Sequence, residues 1–269
     1  MTIDQLVKSP ITNWETATGH QILAAAGKKS LRPGGKAATE QLFQWADFQP
    51  GETVLELACS FGYSAIAIAQ RYGVRVTGIE KNPASVARAR QNVAAAGLSA
   101  KITIIEGDIF QLDQITQQFD AVLAEAILTM QSPLGKAKIL AGISDRLKPG
   151  GKFLSHELLI KNPAPEIYQA LQKAIRVNST PLPTADWIKA CQTAGLNVIQ
   201  HQNGTMGLLN LKKMLQDEGI ADTLKIAWNI LKNPVIRRRV LEMRRVWQQY
   251  SQDLGYIVLC AQKPTAGAL

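Results

Sequence analysis

Cysteine is scarce. Cys59, Cys191 and Cys260 are spread through 269 residues, too few and too scattered for a disulfide framework or a zinc site. Long apolar runs are missing as well, and none reaches the ~18 residues needed to span a bilayer. The opening residues, MTIDQLVKSP, carry acidic and polar groups where a signal peptide needs an apolar stretch. No internal repeat or low-complexity tract is visible. A reducing, cytoplasmic setting is expected, with no membrane span.

What is present is apolar and basic. Hydrophobic residues make up 46% of the chain, enough for a packed core and too many for a disordered chain. Lys and Arg number 30 against 21 Asp and Glu, a net charge of +9. The surplus is uneven, because residues 204–250 hold nine basic side chains and four acidic ones. Such a face can attract an acidic substrate, nucleic acid or an anionic membrane surface, and its plainer use is a solvated helix stripe.

Residues 1–48 read as helical, with a break at Arg32-Pro33-Gly34-Gly35 and a helix over 36–48. Strands and helices then alternate. Strands are expected at 53–57, 74–79, 102–105, 119–124 and 152–160, with helices at 64–72, 83–96 and 133–147. Helices at 165–176 and 184–194 precede strands at 196–201 and 254–261. This spacing predicts a doubly wound α/β domain covering 1–269: a mostly parallel seven-stranded sheet with N-terminal helices (a cap, 1–48) and a helical insertion before the last strand (a lid, 204–250). In the insertion Ile220, Leu224, Trp228 and Leu231 share one helical face, and Ile236, Val240, Met243, Trp247 and Tyr250 repeat the spacing. The opposite face of the second run carries Arg237, Arg238, Arg244 and Arg245.

The segment VLELACSFG, residues 54–62, lies where a strand meets a helix, the place at which an open α/β sheet binds its ligand. Small residues there permit close backbone approach, and the following helix offers free N–H groups. Glu80 closes the second strand 24 residues past Glu56 and can accept from both hydroxyls of a ribose diol. An N-cap neighbour or a solvent-exposed acid is the bland alternative. Asp108, in EGDIF, is placed to accept from an exocyclic adenine amine, with the backbone N–H of Ile109 offered to a ring nitrogen; a turn acid before a helix is the bland alternative there.

One acid after each of the first three strands resembles the class I methyltransferases. VLELACSFG is similar to their cofactor loop, GIEKN to the ribose motif and EGDIF to the adenine edge, while FDAVLAEAIL and LKPGGKFL resemble the fourth strand and the turn into the fifth. The likeness runs over residues 31–158, more weakly beyond. It implies S-adenosylmethionine as cofactor, a Rossmann-like fold and in-line methyl transfer to a small-molecule acceptor. It further implies that Glu56, Ala58, Cys59, Ser60 and Gly62 form the cofactor loop, Glu80 and Lys81 the ribose side, and Asp108 and Ile109 the adenine side. The LRPGG segment is similar to the one that closes over the cofactor in phosphoethanolamine-type enzymes, which places Arg32 and Gly35 there, with Arg32 facing the methionyl carboxylate. Where the family usually carries glycine, this chain has Ala58 and Ser60, tolerable if neither needs positive φ.

The transfer needs no metal, and no metal-ligand spacing appears. A general base is needed only for an acceptor that arrives protonated. Glu125 at the end of the fourth strand and His156 on the fifth are the catalytic candidates, with His20 in the N-terminal helices a third. A dehydrogenase wants G-x-G-x-x-G, and this loop reads Ala58, Ser60 and Gly62 without a glycine at Ala65. A nucleic-acid methyltransferase would gain from the basic helices through Arg237, Arg238 and Arg239, but Ala124-Glu125-Ala126-Ile127 lacks an aromatic for a base pocket. A cofactor-binding protein without turnover is the third possibility.

Overall fold

A computed structural model describes residues 14–28, 31–207 and 209–265. The reading of MTIDQLVKSP and the first part of the expected N-terminal helix lie outside the described residues. Strands β1 (Thr53–Leu57), β2 (Arg75–Glu80), β3 (Ile102–Glu106), β4 (Phe119–Glu125), β5 (Leu147–Ile160), β6 (Asn197–Thr205) and β7 (Leu254–Gln262) form one sheet in the order β3-β2-β1-β4-β5-β7-β6. The first five pair in parallel, and β7 runs antiparallel between β5 and β6. The architecture is the mostly parallel, Rossmann-like sheet expected from the alternating pattern.

Helices α1 (Gly19–Ala25) and α2 (Gly35–Ala46) precede the sheet. Then follow α3 (Tyr63–Tyr72), α4 (Pro83–Ala95), α5 (Pro133–Arg146), α6 (Pro165–Ile175) and α7 (Thr184–Thr193). Between β6 and β7 come α8 (Leu211–Glu218), α9 (Ile220–Lys232) and α10 (Pro234–Gln249). Local chemistry sets several of these ends. Asn82 caps α4 by accepting from the Ser85 N–H at 3.0 Å, with Pro83 at the first helical position. Ser132 does the same for α5 at Gly135.

The alternation of side chains along a strand divides the core. Val54 packs on one face of the sheet with Ala65, Ile68 and Ala69 of α3. Leu55 and Leu57 pack on the other with Ile139, Leu140 and Ile143 of α5 and Trp187 of α7. Glu56 therefore falls on the α3 face. The chain moves outward from β1 to β3 and then crosses back to β4, so the sheet order reverses between β1 and β4. A crevice opens beyond the carboxyl ends of strands at such a reversal.

Three boundaries differ from the sequence reading. β5 begins at Leu147, because the Lys148-Pro149-Gly150-Gly151 turn is a bulge inside the strand, held by the Gly150 N–H on the Lys263 carbonyl at 3.0 Å. β6 continues to Thr205, paired with β7 on both sides of a bulge at Ile199, so the helical insertion starts later than residue 204. The N-terminal helices are short, and the Arg32–Gly35 break separates them. The apolar faces of the insertion also diverge. Ile236, Val240 and Met243 of α10 are buried, whereas Ile220, Leu224, Trp228 and Leu231 of α9 face outward. Among the described residues no helix is long and apolar enough to cross a membrane.

Gly78 lets the β1 turn dock on β2. A Cβ there would stand 2.8 Å from Cys59 Sγ and 2.9 Å from Ile104 Cδ1. Gly78→Ala is expected to lower stability by ~1–3 kcal/mol through overpacking. A urea titration reads this as a lower midpoint with unchanged slope.

Candidate functional site

The turn after β1 holds its shape by unusual backbone angles. Ala58 and Ser60 both lie at φ +50°, and Gly62 at +75°. The condition under which Ala58 and Ser60 would be tolerated without strain, that neither need positive φ, is thus not met. A left-handed residue with a Cβ costs ~1–2 kcal/mol, so the surroundings must enforce the turn. They do so through backbone hydrogen bonds: Cys59 N–H to the Ile79 carbonyl at 2.9 Å, Gly62 N–H to the Cys59 carbonyl at 2.8 Å and Ser60 N–H to Glu80 Oε2 at 2.9 Å. Cys59 is buried, and that burial raises its thiol pKa, which makes it packing rather than a nucleophile.

Glu80 ends β2 and also accepts from the Asn82 N–H at 2.8 Å. Each of its oxygens then holds one backbone hydrogen bond and keeps a further lone pair. Asp108, after β3, caps the following turn through Phe110 N–H at 3.0 Å and meets Lys81 Nζ at 2.8 Å. Hydrogen bonds from Lys81 and from the Phe110 amide lower its pKa. Ile109 opens that turn and packs partly against the core. The β1–β3 registers, Glu56 against Gly78 and Glu80 against Glu106, bring these carboxyl ends to one rim.

The fourth strand contributes a charged cluster. Glu125 Oε2 lies 2.9 Å from Arg32 and accepts from Ser64 Oγ at 2.8 Å, while Oε1 accepts from Thr39 Oγ1 at 2.6 Å. Arg32 also donates to Ser64. Burial opposes the charge on Glu125, but Arg32, with His156 and Thr39, overrides it and holds the pKa at about 2. Glu56 sits in the same cluster with the opposite outcome. Burial and the Glu125 charge raise it to about 8, against smaller offsets from Arg32, the Ala65 amide and Ser64. Its Oε2 is buried without a hydrogen-bond partner. Two carboxyls thus share one guanidinium.

His156 is fully buried, and burial lowers its pKa. Its Nε2 accepts from the Gly34 N–H at 2.9 Å, which leaves the proton on Nδ1, 3.5 Å from Thr39 Oγ1 and 3.9 Å from Glu125 Oε1. Both catalytic candidates are therefore engaged by protein groups. The Glu125 carboxylate is held by three donors and weakly basic, and the basic nitrogen of His156 is occupied by the Gly34 amide. Gly35, at φ +70°, abuts Asp217 of α8, which accepts from the Lys36 N–H at 2.9 Å. Thr39 and Ser64 went unnoticed in the sequence. Their only signal was a hydroxyl on otherwise apolar, Ala-rich helix faces.

Beside Ala126, also left-handed at φ +56°, lies an apolar cavity of about 60 Å³. Leu23, Leu171, Met243 and Trp247 form part of its wall, with His20 and Ser179. The polar atoms Ser179 Oγ and Trp247 Nε1 are buried without partners. His20 is exposed on its outer side, where its ring meets Thr18 Oγ1 at 3.1 Å; loss of hydration on the cavity side lowers its pKa, with Glu80 pulling the other way. The strand following the cavity pins its floor: Glu157 accepts from the N–H groups of Ile127, Leu128 and Thr129 at 2.9–3.2 Å. Of the arginines considered for nucleic acid, Arg239 is buried against the Ala17 carbonyl and Glu242, and Arg238 pairs with Glu15.

A family model for a methyltransferase domain matches residues 54–151. An uncharacterised protein of Haemophilus influenzae is 36% identical over 91% of this chain and 98% of its own length. Methyltransferase GfsG of Streptomyces halstedii is 23% identical over 87% of this chain and 82% of its own. A methyltransferase of Geobacter sulfurreducens, solved with S-adenosylhomocysteine, superposes with TM-score 0.67 at 17% identity, covering 90% of this chain and 97% of that one; this is a likeness of fold.

Removing the guanidinium strands a buried carboxylate, so Arg32→Ala is expected to cost ~3–5 kcal/mol. The depressed Glu125 pKa contributes stability above about pH 4.5 that is lost as the pH falls toward about 2. Denaturant titrations across that range should show this acid loss reduced or abolished in the variant, because Glu125 without its cation is no longer held below its ordinary pKa.

Proposed function

The chain belongs to the class I S-adenosylmethionine-dependent methyltransferases, and we propose that the small-molecule acceptor it methylates is largely apolar and enters the cavity beside Ala126. The enzyme transfers a methyl group from S-adenosylmethionine to that acceptor. The observation that carries the acceptor reading is the position of the cavity, apolar-walled and set at the end of β4 next to the carboxylate rim.

The residues present fit the cofactor. A buried carboxyl with an orphan oxygen, short of a cation, suits the methionyl ammonium, so Glu56 would hold that group. Glu80 has the free lone pairs for the ribose diol, and Asp108 with Ile109 would serve the adenine edge. Ala58, Cys59, Ser60 and Gly62 supply the tight turn that lets backbone approach, and Lys81 steadies Asp108. Arg32, released in part from Glu125, would meet the methionyl carboxylate, and Gly35 would let that segment close. When bound, the cofactor supplies a methyl group on a sulfonium, open to in-line displacement.

The chain's own residues then align and shield. Glu125, Thr39 and His156 act as positioning residues: they fix Arg32 and the Gly34 backbone rather than move a proton. His20 is the one titratable side chain on the described cavity wall. Its lowered pKa keeps it neutral at physiological pH, ready to take a proton from an acceptor that arrives protonated. Trp247 Nε1 can donate to an acceptor oxygen and Ser179 Oγ can donate or accept, which suits a mostly hydrocarbon molecule with one polar group. The three cysteines stand as free thiols, in keeping with the cytoplasm.

Three experiments test this reading. S-adenosylhomocysteine should raise the melting temperature and NADH should not; no shift with either would reject the cofactor site. At pH 7 its binding should release up to about one proton from Glu56, seen by calorimetry in buffers of different ionisation enthalpy, and Glu56→Gln should abolish the release. For the acceptor, transfer of labelled methyl into a solvent-extractable fraction of a cell extract should fall roughly 100-fold in His20→Gln. Cofactor affinity should be unchanged. Unaltered transfer would remove His20 from the mechanism.

A further inference from the structure

We propose that α9 is a docking helix that lies in the surface of an anionic lipid bilayer. The helix has two apolar sides. Thr223 and Ile226 are buried, and Ile226 with Ile230 packs in the cluster formed with α1 and α10. The second side has no cover: Ile220 is 72% exposed, Leu224 66%, Trp228 58% and Leu231 60%. At about 100° per residue these four fall within an arc of roughly 80°, a continuous stripe rather than scattered contacts. Isolated surface apolar residues need no explanation, but a contiguous stripe of this kind marks an interaction face.

The charge around the stripe identifies the partner. Lys225 and Lys232 border it on one side, and Lys232 Nζ sits 4.8 Å from the centre of the Trp228 ring. On the adjoining helix Arg237, Arg244 and Arg245 are exposed. The nearby acids do not offset this charge: Asp217 meets the Lys36 amide, Glu218 meets Lys28 and Glu242 meets Arg239, while Asp222 of α9, itself partnered, falls on the side of the helix away from the stripe. Trp and Leu on one face with bordering lysines is the composition of helices that settle at the level of lipid headgroups. There the apolar face enters the acyl boundary and the lysine stems reach outward to phosphate. An aqueous protein partner would not need the surplus of positive charge. The absence of a spanning helix among the described residues accords with a surface attachment.

The test uses the full chain and large vesicles of phosphatidylcholine, with or without phosphatidylglycerol, in a sedimentation assay. Binding should be at least about 10-fold stronger with the anionic lipid and weaken as salt is added. The double variant Leu224→Asp/Trp228→Ser should lose at least about 10-fold of that binding, and so should Lys225→Glu/Lys232→Glu. Both variants should keep the thermal shift with S-adenosylhomocysteine, which shows that they are folded and separates this proposal from the catalytic one. Equal binding to both lipids, or unchanged binding by the variants, would overturn it. So would a concentration-dependent dimer that Leu224→Asp/Trp228→Ser renders monomeric, because the stripe would then belong to a second copy.

Discussion

A buried shortage of positive charge governs this site. Glu56 and Glu125 approach one another behind the β1 turn, and Arg32 can neutralise only one of them. Glu125 takes the guanidinium, together with the Ser64 and Thr39 hydroxyls, and remains ionised. Glu56 is left to hold its proton, with a pKa raised to about 8. An unpaired carboxylate at that depth would cost several kcal/mol, so the cluster is stable only while Glu56 is protonated or a second cation arrives. The methionine end of the cofactor carries such a cation. Cofactor binding and the protonation of Glu56 are therefore two ways of meeting one electrostatic demand.

The rest of the rim is built to keep that demand in place. Three non-glycine residues at the carboxyl edge, Ala58, Ser60 and Ala126, hold left-handed backbone angles. Their neighbours fix them: Glu80 grips the Ser60 amide, and the His156 carbonyl accepts from Ala126 N–H at 2.7 Å. Strain of this kind persists only where surrounding bonds over-determine it, and it gathers at sites that must be rigid before a ligand arrives. The same carboxylate, Glu80, both shapes the loop and presents its remaining lone pairs outward. Turn geometry and ligand recognition are thus coupled through one side chain.

Much of this was legible in the residues themselves. The alternation of strands with helices announced the sheet, and the acids following β1, β2 and β3 could be placed at one edge because strand ends and side-chain period are local properties. Partnerships were not local. Nothing near Glu125 in sequence reveals that Arg32, Thr39 and Ser64 will hold it, and the protonation of His156 depends on an amide at Gly34, 122 positions away. The backbone angles at Ala58 and Ser60 were hidden for a similar reason, since tertiary bonds impose them against local preference. The α9 pattern misled because the helix carries apolar residues on two sides. Periodicity identifies both stripes and cannot say which one the core will take. Arg239 reads as part of a basic surface run, yet its place on the helix turns it inward to the Ala17 carbonyl.

The most direct measurement of the central claim is a crystal structure of the protein with S-adenosylhomocysteine bound. The account requires the ligand's amino group beside Glu56 Oε2, its ribose hydroxyls on Glu80 and its adenine at Asp108. A ligand bound away from these three acids, with Glu56 still unpartnered, would contradict it.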